Sequence, residues 1–67
     1  MRLYYTLFTR EDDQTWYPQF GDFDRETVKE EVAEYRPEYS AKNIKIVKHL
    51  YSDTVEAHKG VLAKFAR

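Results

Sequence analysis

His49 and His58, with Asp53 and Glu56 between them, are the residues here whose types could bind a metal. Imidazole and carboxylate are both zinc ligands, but the nine-residue interval crosses a turn and matches no established ligand spacing. No metal site is expected: His58 reads as a helix residue at the core margin and His49 as an exposed strand residue. Nucleophiles are few. The chain has no cysteine, and neither Ser40 nor Ser52 lies in a glycine-flanked elbow, so Ser52 reads as a cap or turn residue. Asp12-Asp13 and Glu30-Glu31 are paired carboxylates, yet acid–base catalysis needs one member in a desolvated pocket, and both pairs stand in strongly polar stretches. With no nucleophile–base pair and no phosphate-binding glycine loop, the expectation is a protein that is not an enzyme and carries no cofactor.

Sixty-seven residues set the scale for whatever positions these groups. The expectation is one compact domain over residues 1–67, close to the lower limit for burying a core unaided. Hydrophobic residues make up 42% and aromatics 16%, with two glycines and two prolines, so the chain reads as folded and its core as largely aromatic. The absence of cysteine leaves apolar packing as the source of stability and suits a cytoplasmic protein. No apolar run approaches the length of a membrane span, and the N-terminus lacks the layout of a signal peptide, so neither export nor membrane insertion is expected. Eleven basic against twelve acidic residues exclude a global basic field for nucleic acid or anionic membrane.

The element pattern is strand, strand, helix, strand, helix. Residues 2–9 alternate with apolar groups on both sides, as a central strand does. Glu11-Asp-Asp-Gln14 suits a hairpin loop, and Trp16 to Phe20 returns as a second strand, placed at the sheet edge or bulged because Pro18 cannot donate to a ladder. Asp24 is the expected N-cap of a helix ending at Pro37, with Phe23 and Val28 as a hydrophobic staple across the cap. Ile44 to Tyr51 reads as the third strand. Ser52 or Asp53 then caps a second helix, whose apolar stripe is Val55, His58, Val61, Leu62 and Phe65. A right-handed return from the second strand to the third places the third beside the first. The expected fold is therefore α+β, ββαβα, with a three-stranded antiparallel sheet in order 2-1-3 and two helices on one face.

If Leu3, Tyr5, Leu7, Ile44 and Ile46 face those helices, then Tyr4, Phe8, Val47 and Tyr51 face outward, joined by Trp16 or Tyr17. An exposed aromatic patch marks an interaction site. The expected binding residues are Tyr4, Tyr17 and Tyr51 as anchors, with Glu30, Glu31 and Glu34 steering a basic partner. A protein partner fits better than nucleic acid. Single-stranded DNA or RNA stacked on the sheet aromatics is the alternative, disfavoured by the charge balance and by the missing aromatic-glycine signatures. The chain itself is expected to be a monomer or a weak homodimer.

At Trp16-Tyr-Pro-Gln-Phe-Gly-Asp-Phe-Asp-Arg-Glu-Thr-Val28, Glu34-Tyr-Arg36 and Ala41-Lys-Asn-Ile-Lys-Ile-Val47 the sequence resembles a group of small uncharacterised proteins encoded by bacteriophages and prophages. The likeness covers about two thirds of the chain. It carries no catalytic motif. What it implies is a compact accessory protein that binds, and in that way inhibits, a host protein such as a polymerase, a nuclease or a CRISPR effector.

Overall fold

The computed structural model describes residues 2–55 and 58. Strand β1 (Leu3–Arg10) runs through the middle of a three-stranded sheet, flanked by β2 (Trp16–Asp22) and β3 (Ile44–Leu50), both antiparallel to it. The order is β2-β1-β3, as the right-handed return requires. A strand covered on one side alternates between buried and exposed residues. Thr6, Leu7, Phe8 and Thr9 are instead buried in succession, so both faces of β1 are covered.

The hairpin between β1 and β2 closes on polar residues. The Glu11 N–H donates to the Thr15 carbonyl at 3.0 Å, the Gln14 N–H donates to the Glu11 carbonyl at 2.9 Å, and the Asp13 carboxylate accepts the Thr15 N–H at 2.9 Å. Further along, Leu7 pairs with Phe20 but Phe8 pairs with Pro18, which leaves Gln19 as the extra residue of a bulge. Proline cannot supply a ladder hydrogen bond, so the edge position and the bulge accommodate it together. Gln19 uses its freed side chain, donating to the Thr9 hydroxyl at 2.9 Å.

Helix α1 (Arg25–Tyr35) crosses from β2 to β3. Asp24 is its N-cap residue with extended backbone, but its carboxylate accepts the Thr27 hydroxyl at 2.8 Å rather than a backbone N–H of the first turn. Phe23 packs on Tyr4 and Tyr51. The helix ends just before Pro37, with the Arg36 N–H donating to the Val32 carbonyl at 3.1 Å. Val28 is fully buried, which contributes about 1.5–3 kcal/mol relative to an exposed side chain. The chain after α1 lies on the Leu7–Thr9 side, because Tyr39 donates to the Glu11 carboxylate at 2.5 Å while Thr9 donates to the same oxygen at 3.5 Å.

Among the described residues there is one α-helix rather than two on a common face; short 3-10 turns occupy Ala41–Asn43 and Tyr51–Asp53. Ser52 and Asp53 lie within that second turn, directly before helical Thr54, and the Thr54 hydroxyl donates to the Tyr51 carbonyl at 2.6 Å. The expected second helix falls outside the described residues except for Thr54, Val55 and His58, which are helical. His58 rests against Thr6 and Phe8, on the face opposite α1. The two apolar stripes were expected to share one face; instead the even-numbered side chains of β1 face His58 and the odd-numbered ones face α1.

Candidate functional site

The face toward His58 carries a hydrogen-bonded chain of three side chains. Thr6 pairs across the sheet with Val47, two residues from His49, and its Oγ1 lies 2.8 Å from His49 Nε2 and 3.3 Å from His58 Nε2. The other His49 nitrogen, Nδ1, is 2.9 Å from the Leu50 carbonyl oxygen. A carbonyl can only accept, so Nδ1 carries the proton and Nε2 of neutral His49 holds a lone pair. With His49 neutral, Thr6 donates to it. Its oxygen in turn accepts the Nε2–H of His58, which completes a one-way chain from His58 through Thr6 and His49 to the Leu50 carbonyl. Burial, and secondly the neighbouring His49, lower the pKa of His58 below the ordinary histidine value.

Thr6, His49 and the Leu50 carbonyl stand as nucleophile, base and orienter would. Thr6 is only 2% exposed, however, and its oxygen is engaged by His58, so the hydroxyl links two rings rather than facing a substrate. Beside it lies an open cavity of about 310 Å³, lined by Tyr4, Thr6, residues 18–21 of β2, Thr54 and His58. Among the described residues no three His, Cys, Asp or Glu side chains are grouped so as to hold a metal ion.

At the far end of the same face three rings pack on one another. Tyr4 and Phe23 meet edge to face at 4.9 Å between centroids, Tyr4 and Tyr51 at 5.2 Å, and Phe23 and Tyr51 at 4.9 Å. The Arg2 guanidinium sits 3.8 Å above the centre of Phe23 as a cation–π contact. This cluster is at the surface: Tyr51 is 53% exposed and Phe23 36%. It sits where three chain segments meet, namely the start of β1, the exit of β2 and the turn after β3. Gly21 makes room for Tyr4, since a Cβ there would lie 2.6 Å from the ring and from its hydroxyl oxygen.

Two of the three expected anchors, Tyr4 and Tyr51, thus come together, whereas Tyr17 does not join them. Tyr17 pairs with Thr9 and so stands on the α1 side, its hydroxyl 3.4 Å from the Asp13 carboxylate. Glu30, Glu31 and Glu34 lie on α1, away from the ring cluster, with Glu30 and Glu34 exposed and Glu31 half-buried. Phe8 and Trp16, expected outward, are buried; His58 covers Phe8 edge to face at 5.4 Å, and Arg10 and Lys45 flank the Trp16 ring at 5.2 and 5.8 Å. His49, expected as exposed, is half-buried through its bond to Thr6.

Sequence reasoning missed Phe23 and Arg2 as members of the cluster. Strand alternation continued two residues past Gly21 would have placed Phe23 beside Tyr4. Comparison with protein-family models, with curated proteins and with solved structures returns no match. No helix among the described residues is long and apolar enough to cross a membrane.

Proposed function

We propose that this protein acts by docking on a partner protein through the surface cluster of Tyr4, Phe23 and Tyr51, with Arg2 above it. The observation that carries the reading is the mutual packing of three rings, two of them substantially exposed, beneath an arginine. Tyrosine and arginine are over-represented among residues that dominate binding energy. Rings already packed on one another lose little conformational freedom when a partner covers them. The resemblance to phage- and prophage-encoded proteins supports a host protein as that partner and inhibition as the outcome. Glu30, Glu31 and Glu34, on the other side, act in this reading on the approach of a basic surface and not at the contact. No catalytic step is assigned, and the protein functions in the cytoplasm of the bacterial host.

Nucleic-acid binding is the weaker reading, because the buried Phe8 and Trp16 are unavailable for stacking bases. The test is a photo-crosslinking residue placed at position 51 and, separately, at position 34. A protein adduct formed from 51 and absent from 34 supports docking through the ring cluster. An adduct only from 34, or a nucleic-acid adduct from 51, overturns it.

A further inference from the structure

We propose that the free edge of β3 is a docking site for an acidic, extended segment of a partner protein, which adds there as a fourth strand. Tyr51 lies opposite Arg2 in the register that pairs Leu3 with Leu50, and its N–H donates to the Arg2 carbonyl at 2.9 Å. Antiparallel pairs alternate between bonded and non-bonded, so Lys45, Val47 and His49 also turn their backbone groups toward β1. Ile44, Ile46, Lys48 and Leu50 turn theirs outward. The Ile44 N–H is taken by the Ala41 carbonyl, and the Leu50 carbonyl by His49 Nδ1. What remains is the N–H and carbonyl of Ile46 and of Lys48, with the Ile44 carbonyl and the Leu50 N–H at the ends. Among the described residues β1 is the one strand beside β3.

The opposite edge of the sheet is closed to such pairing. Pro18 stands opposite Phe8, whose backbone groups go to β3, so the N–H that proline lacks belongs to the outer side of β2. The bulge at Gln19 breaks the same stretch. β3 has neither device and carries charge instead. Residues 41–50 hold Lys42, Lys45, Lys48 and His49 and no carboxylate side chain, and the three lysines are exposed. The ion pairs among the described residues, Arg25 with Glu26 and Lys29 with Glu26, leave Lys42 and Lys48 un-neutralised. Lys45 pairs with Phe8 and Lys48 with Tyr5, so the two stand on opposite faces, on either side of half-buried Ile46 and Val47. The segment that fits has carboxylates three residues apart with two apolar residues between them. A second copy of the chain brings the same lysines against each other, and edge lysines guard natural sheets against that pairing. A phosphate backbone brings acceptors only, whereas the Ile46 and Lys48 carbonyls need donors. This surface is separate from the ring cluster and goes beyond the docking reading.

Amide NMR of the full chain, titrated with the capped peptide Thr-Glu-Val-Val-Glu-Thr, tests the site. Expected are shifts and slowed hydrogen exchange at the outward Ile46 and Lys48 amides, with exchange at Val47 and His49, already bonded to β1, unchanged. The same peptide with lysine in place of glutamate should bind about 10-fold more weakly, and Lys42→Glu/Lys48→Glu should reverse the order of the two peptides. If that variant does not fold, the two peptides on wild type still decide. Equal binding of both peptides, no change at Ile46 and Lys48 with millimolar peptide, or slow exchange of those amides in the free chain would overturn the proposal. Protection of the free chain that fades on dilution would assign the edge to a second copy, and lysine-dependent shifts with a single-stranded oligonucleotide but not with the peptide would assign it to nucleic acid. No readout uses the ring cluster, so failure of the docking reading leaves this test unchanged.

Discussion

Tyr4 lies over Gly21 so closely that the smallest possible side chain at position 21 would touch the far end of its ring. The glycine is there for space, since no glycine in the described chain has positive φ. Gly21→Ala should therefore leave β2 intact and push the Tyr4 ring out of its place against Phe23 and Tyr51. The cost in stability should be small, about 1 kcal/mol, because the obstructing atoms are the mobile end of a side chain. Aromatic proton shifts would report the move. Unchanged Phe23 and Tyr51 shifts in a folded Gly21→Ala protein would show that Tyr4 is not held by this contact.

Val28 is the buried point at which α1 meets the sheet. Val28→Asp places an unpaired charge there and should cost roughly 4 kcal/mol or more, enough to unfold a domain of this size at room temperature. Val28→Ala should cost about 1–3 kcal/mol and leave a cooperative transition at lower denaturant. Chemical denaturation of both variants checks the pair; a near-wild-type midpoint for the aspartate would remove Val28 from the core.

How far the sequence carried can be judged on such residues. Pro18 announced both the edge and the bulge, and the apolar content on both sides of residues 2–9 announced a central strand, because these are local properties of backbone donors and of alternation. Which face of the sheet His58 would take was not legible. A turn after β3 can lead to either side of the sheet, and the deciding contact, His58 on Thr6, spans 52 residues. His58 also packs on Phe8, and the Thr6 hydroxyl draws in His49 from the neighbouring strand. The packing of Phe23 on the rings of Tyr4 and Tyr51, far away in sequence, was likewise not legible.

The Tyr39 hydroxyl gives a prediction at alkaline pH. Its hydrogen bond to the Glu11 carboxylate, first, and partial burial, second, raise its pKa above the ordinary 10.0. A raised folded value means that the neutral phenol stabilises the fold. This contribution is fully present below the unfolded pKa and is lost as pH rises through the folded one. Urea unfolding across this range should show wild type losing stability relative to Tyr39→Phe as the phenol ionises. Parallel curves for the two proteins would show that this hydrogen bond does not couple to folding.

The central claim is that the exposed rings are a docking surface, and quantitative affinity capture from a bacterial lysate tests it most directly. Wild type is compared with a Phe23→Ala/Tyr51→Ala variant shown by circular dichroism to be folded, and solution mass is followed against concentration to expose self-association through the same rings. The account predicts a host protein retained by wild type and reduced about 30-fold or more in the variant, the effect of losing about 2 kcal/mol at the centre of an interface. Equal retention by the two proteins, or a ring-dependent self-association with no host protein retained, would contradict it.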